Sequence, residues 1–245
     1  MKKILFLWLL FFYLPGGVVH LKYKVTGEIP HYGRNFTQGL LYTNGFFYES
    51  TGLKGRSSLK CIDINTGKVI RQYLLEENFA EGLALKDNHL LQLTWKAGKA
   101  YLYDINDFKL QDIIYYRGEG WGITTAPEGY YMTDGSSYVW LRSFAGFKLR
   151  KRIKVTLHNI PVKYLNELEY INGYLYANIW RSDRIVAIDP EDGVVVKVLD
   201  LEKLAQKERN NDRDAVLNGI AYNKQKKLFY ITGKKWKYIY KLKIM

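Results

Sequence analysis

Residues 35–52 read "NFTQGLLYTNGFFYESTG": two strand-forming runs around a turn, with Gln38 directly before Gly39 and a Glu49-Ser50-Thr51 cluster after an aromatic run. An ordinary buried hairpin keeps apolar side chains at such places, so the polar groups ask for a reason. The reason is a repeat. "AEGLALKDNHLLQLTW" from Ala80, "GWGITTAPEGYYMTDG" from Gly120, "LNELEYINGYLYANIW" from Leu165 and "LNGIAYNKQKKLFYIT" from Leu217 share the layout. Each has a small polar step, a short strand, a turn, and a second strand rich in Tyr, Phe, Leu and Ile. With Gly39, Gly82, Gly122, Glu167 and Gly219 as equivalent anchors, the spacings are 43, 40, 45 and 52 residues. Several units continue into a second hairpin, such as "CIDINTGKVIRQYLL". Four strands per unit of about 40–50 residues is the pattern of a propeller blade. An all-β, five-bladed propeller of four-stranded antiparallel blades is expected over residues 20–245, rather than two small sandwiches or an open repeat stack. Its N-terminal strand, in "LKYKVTGEIPH", should pair into the last blade and remove the open edge. The long last step holds the polar stretch "LEKLAQKERNNDRDAV", read as a short helix or lid-like loop between blades.

Composition agrees. The chain has 245 residues with 21 Tyr, 11 Phe and 6 Trp, a content that favours strands. The net charge of +13 is spread over turns and exposed strand faces, with "FKLRKRIK" (147–154) the one cluster. That distribution gives solubility and loose attraction to anions rather than a nucleic-acid site, which gathers its basic residues on one element. Cys61 is the single cysteine, which excludes an intrachain disulfide and reads as a packed thiol. The four His show no zinc-binding spacing, and GxSxG, P-loop and dinucleotide fingerprints are absent. No cofactor or metal is expected. Lys2-Lys3, the apolar run Ile4–Leu14 and Pro-Gly-Gly form a leader over residues 1–19. The expectation is export to the periplasm or medium, with an uncleaved anchor as the alternative and this segment as the sole means of membrane attachment. The propeller itself is expected to be a monomer.

In a propeller the innermost strands line the axis. The residues before the anchors, Gln38, Glu81, Trp121, Asn166 and Asn218, therefore meet in one ring. Buried polar groups without partners cost ~1–3 kcal/mol each, so this set suggests a wet site that a ligand enters. Trp95, Trp180, Lys234 and Trp236, with Phe36 and Phe79, are expected to form an aromatic funnel around it. Glu81 is the one acid among the residues before the anchors. Aromatic enclosure strips its solvation and raises its pKa, which suits a group that takes and returns a proton. The alternative is a structural ion pair between Glu81 and Lys234.

The ordered series "FTQGL", "YESTGLKGRSSL", "FAEGL", "LTWK", "GWG", "MTDGS", "LNELEY", "ANIWRSDRIVAIDP", "NGIAYN" and "ITGKKW" resembles the plant-type and bacterial glutaminyl-peptide cyclotransferases. The likeness runs from Phe36 to Trp236 and implies a five-bladed propeller that converts N-terminal glutamine to pyroglutamate with release of ammonia. It implies peptide or protein substrates that begin with Gln. It makes Glu81 the acid/base and places Phe36, Gln38, Phe79, Trp95, Trp121, Asn166, Trp180 and Lys234 in the pocket. On that reading the Trp side chains wall the glutamine methylenes. Asn166 and Gln38 hydrogen-bond its amide or main chain, and Lys234 donates to the oxyanion or tunes Glu81. The chain departs from the family at its end, with Lys237 where a Pro is usual and Lys241 where an acid is usual. Two other functions compete: a non-catalytic propeller that binds peptide ends, and a metal-dependent lactonase-type propeller.

Overall fold

The computed structural model describes residues 17–209 and 211–245. Five four-stranded antiparallel units follow one another around an axis. The first comprises Thr37–Thr43, Phe46–Thr51, Ser57–Asp63 and Val69–Leu75; the second Ala80–Lys86, His89–Thr94, Lys99–Asp104 and Leu110–Tyr115. The third comprises Ile123–Ala126, Gly129–Thr133, Tyr138–Arg142 and Leu149–Lys154; the fourth Leu165–Ile171, Tyr174–Ile179, Arg184–Ile188 and Val195–Asp200. The fifth takes Leu217–Asn223, Leu228–Gly233 and Tyr238–Ile244, and is completed by Tyr23–Pro30, antiparallel to the C-terminal strand with Glu28 opposite Tyr240. The ring is thus closed as the sequence predicts.

The inner strand of each blade packs against the inner strands of both neighbours. Burial follows from that stacking. Inner strands such as Thr37–Thr43 are sealed over their first five residues, whereas the outer strands Val69–Leu75 and Leu149–Lys154 are largely exposed and carry polar and basic residues. Apolar side chains from facing blades form one core per interface. Leu40, Phe47 and Ile62 meet Tyr230 and Ile239 between blades 5 and 1, while Leu59 and Tyr48 meet Leu83 and Tyr103 between blades 1 and 2. Cys61 is buried in the latter core. Close approach at the axis explains the anchor glycines. A Cβ on Gly39 would lie 2.5 Å from the Leu83 nitrogen, and one on Gly82 would lie 2.6 Å from the Trp121 carbonyl oxygen.

Two features were not foreseen. Val19–Leu21 adds a parallel fifth strand to the outer edge of blade 4, with Val19 opposite Lys197, so the ladder begins inside the 1–19 segment. A two-residue hairpin, Thr156–Leu157 with Ile160–Pro161, joins blades 3 and 4. Residues 1–16, the remainder of the segment read as a leader, lie outside the described residues. The polar insertion forms the helix Glu202–Arg209. Its Glu208 accepts hydrogen bonds from Lys237 N (2.6 Å) and Tyr240 Oη (2.6 Å). Lys237 therefore supplies a backbone donor that proline lacks, and the closing strand keeps its pairing.

Candidate active site

Four of the five inner strands are bulged at the same point. In blade 1, Thr37 faces Thr51 and Gly39 faces Ser50, which leaves Gln38 extra. In blades 2, 4 and 5 the register shifts between Ala80 and Leu83, Leu165 and Leu168, and Leu217 and Ile220. A bulge frees two residues against one and re-aims their side chains. It turns Gln38, Glu81 and Asn166 into a cavity of about 400 Å³ at one end of the axis. The residue just past each second strand closes the wall in blades 2, 4 and 5: Trp95, Trp180 and Lys234.

The wall is an aromatic arc in two halves. Phe36 meets Phe79 edge-on at 6.1 Å, and Phe79 meets Trp95 at 5.6 Å. On the far side Trp121 meets Trp180 at 5.9 Å, and Trp180 meets Tyr164 at 6.0 Å. Glu119 joins the halves by accepting from both indoles, Trp95 Nε1 at 2.7 Å and Trp121 Nε1 at 3.0 Å.

The floor is polar. Glu81, Lys234 and Asn166 are 5%, 5% and 2% exposed. Burial pushes the Glu81 carboxyl well above the usual carboxylate range, against the pull of Lys234 and with a further push from Glu119. Burial lowers Lys234 to about 8, opposed by Glu81 and Asp214. The two influence each other through space, yet the ion pairs among the described residues do not include them. Lys234 Nζ instead lies 4.6 Å from the Phe36 ring centroid. Asn166 Oδ1 is buried without a hydrogen-bond partner among the described residues. A carboxyl that binds a proton at little cost, an ammonium and an unpaired amide oxygen thus share one apolar enclosure.

All nine residues expected in the pocket, Phe36, Gln38, Phe79, Glu81, Trp95, Trp121, Asn166, Trp180 and Lys234, line this cavity. Trp236 and Asn218 do not. Lys235 takes a left-handed conformation (φ 61°), and the Trp236 indole turns into the core, fully buried, with Nε1 donating to the Ala215 carbonyl. Asn218 is sealed beneath the floor, where Nδ2 donates to Thr37 O (2.9 Å) and Gln38 Oε1 (3.2 Å). Glu167, read as a mere anchor, is another buried carboxyl. It accepts from Ile220 N (2.9 Å) and Leu40 N (3.3 Å), tying blades 5 and 1 to blade 4 across the axis.

Sequence reasoning missed Tyr164, Arg181, Arg213, Asp214 and Val216, which also line the cavity. Two of these carried a signal. Phe36, Phe79, Glu119, Tyr164 and Val216 all stand three residues before an anchor. The others lie on connections between strands, where the repeat has no register.

Beneath Phe36 is a buried polar network. Glu49, fully buried, accepts from Thr37 Oγ1 (2.7 Å) and Asn35 Nδ2 (2.7 Å) and bonds His31 Nε2 (2.9 Å). Lys60 Nζ donates to Asn35 Oδ1, and Asn35 O accepts from Lys235 N (2.6 Å). Burial pushes Glu49 up, but His31, Lys60 and Thr37 together outweigh it and hold the carboxyl below its usual range. The network lies behind the pocket and fixes the segments that carry Phe36, Gln38 and Lys234.

Comparison with known proteins agrees with this geometry. A family model described as glutamine cyclotransferase matches residues 15–244. A glutaminyl-peptide cyclotransferase of Arabidopsis thaliana is 37% identical over 227 residues, covering 90% of this chain and 71% of that protein. The crystal structure of a glutaminyl cyclase from Myxococcus xanthus superposes with a TM-score of 0.88 at 33% identity, covering 93% of this chain and 98% of that one. By sequence along almost its whole length and by fold, the chain belongs to the glutamine cyclotransferase family.

Proposed function

We infer that this protein is a glutaminyl-peptide cyclotransferase, acting on peptides with N-terminal glutamine. The α-amine attacks the side-chain amide carbon, a bond from nitrogen to Cδ forms, and the bond to the amide nitrogen breaks. The products are pyroglutamyl peptide and ammonia. The observation that carries this reading is the buried floor of Glu81, Lys234 and Asn166 inside an aromatic enclosure. As the new bond forms, the amine nitrogen loses a proton to Glu81, which passes it to the departing nitrogen. A raised carboxyl pKa makes that double duty inexpensive near neutral pH. Lys234 donates to the oxyanion of the tetrahedral intermediate, where a dry site strengthens the interaction. Asn166 Oδ1, unpartnered in the floor, accepts from the substrate amine or amide. The aromatic arc holds the glutamine side chain folded back on its own amine, which makes the attack intramolecular in a prepared geometry. Purified protein incubated with a Gln-initiated peptide tests this. Ammonia and a product lighter by one ammonia are expected, and a folded protein that yields neither refutes the reading.

We also propose export, directed by Lys2-Lys3 and the apolar run Ile4–Leu14. A reporter fused to residues 1–20 should leave the cytoplasm; cytosolic retention refutes it.

A further inference from the structure

The cavity is graded from a buried polar floor to an exposed, cationic mouth. Arg181 and Arg213 both line it and both are solvent-exposed. Neither joins any ion pair or donates a side-chain hydrogen bond among the described residues, although every acid of the chain lies within them. The neighbouring acids are already engaged. Asp212 and Asp214 pair with Lys235 at 3.0 and 3.1 Å, and Glu119 accepts from two indoles and faces Lys96 at 3.7 Å. The Arg181 guanidinium lies over the Trp180 ring, 4.5 Å from its centroid, and its backbone is left-handed (φ 63°) in a turn closed by Ser182 N on Ile179 O. That turn sits at the rim of the cavity, so the Arg181 side chain lines its mouth.

We propose that Arg181 and Arg213 select substrates with a carboxylate side chain in the residue immediately after the N-terminal glutamine. This rests on the glutaminyl-peptide reading of the cavity. Cyclisation consumes the glutamine at the floor, so the next residue, one Cα step of about 3.8 Å toward solvent, lies at the mouth. Its side chain meets two guanidiniums with no carboxylate of their own. Guanidinium matches a carboxylate through paired N–H donors, and a positive mouth raises the encounter rate of acidic chains.

The test uses tripeptides Gln-Glu-Ala, Gln-Gln-Ala and Gln-Lys-Ala, all C-terminally amidated so that the side chain supplies the only carboxylate. For the wild type, kcat/KM is expected to be about 3- to 10-fold higher for the Glu peptide than for the Gln peptide, and lowest for the Lys peptide. The preference should shrink in 0.5 M salt, where screening shortens to about 4 Å. It should collapse toward one in the double variant Arg181→Gln/Arg213→Gln and return in Arg181→Lys/Arg213→Lys, with folding checked by thermal melts. Equal turnover of the three peptides by the wild type, or a preference that survives in the Gln double variant, overturns the inference while leaving the cyclotransferase reading intact. Failure of all three peptides overturns both.

Discussion

Replacing Glu49 with Gln tests whether the network behind the pocket supports both fold and site. The amide oxygen can keep the bonds from Thr37 and His31. Its NH₂ then faces Asn35 Nδ2, donor against donor, and Asn35 cannot turn because its Oδ1 holds Lys60. One hydrogen bond to a charged group is lost, about 1.5–3 kcal/mol, and buried Lys60 loses its countercharge. A total near 3 kcal/mol lowers Tm by about 6–12 °C in a chain of this size. The folded Glu49 pKa is depressed, so its stabilisation is present above the unfolded value of about 4.3 and is lost as pH falls through the lower folded value. The gap in Tm between wild type and variant should therefore be full at pH 7 and narrow on acidification below about pH 4. KM for a Gln peptide should rise several-fold, because Asn35 O holds Lys235 N and Phe36 O holds Gly52 N. Differential scanning fluorimetry from pH 3 to 8, with steady-state kinetics, reads both. A Tm within 2 °C of wild type at pH 7, or a gap that widens in acid, refutes the reasoning.

Lys234, lowered to about 8, should impose an alkaline fall in kcat above that pH if its ammonium steadies the oxyanion. In Lys234→Arg, whose guanidinium stays charged, that limb should move beyond pH 10 at reduced kcat; a limb that stays at 8 assigns it to another group. Gly82→Ala places a Cβ 2.6 Å from the Trp121 carbonyl and 2.7 Å from Ile123 N, both backbone, so a loss of about 1–3 kcal/mol is expected in denaturant melts. Glu119→Ala frees the Trp95 and Trp121 indoles. KM should rise about tenfold with a shift in tryptophan emission, and unchanged KM would show that the arc holds without its bridge.

The repeat made the hub legible. Because Gln38, Glu81 and Asn166 occupy one position of one unit, counting residues was enough to bring them together, and the bulge that aims them recurs with the anchor. Phe36 and Phe79 share the position three residues before an anchor, and counting from the anchors would have found Tyr164 and Val216 at that position too. Trp236 shows where counting stops. One left-handed residue, Lys235, reverses the side of the strand end on which the next side chain falls, and backbone conformation is not written in hydrophobic periodicity. Glu167 was misread because a long side chain stood where the other blades have glycine, and its partners are backbone N–H groups of two distant blades. Arg181 and Arg213 lie on connections whose lengths differ between blades, so no repeat places them. Glu49, by contrast, belongs to the inward-facing polar cluster evident in the sequence, though His31 and Lys60 as its partners required the fold.

The central claim is that Glu81 moves the proton between two nitrogens. Ammonia release from a Gln-initiated peptide by wild type and Glu81→Gln, measured side by side with thermal melts, tests it most directly. Loss of general acid–base help should cut kcat by ~100- to 10,000-fold in a variant that still melts cooperatively. A folded variant that turns over within threefold of the wild type would contradict the account.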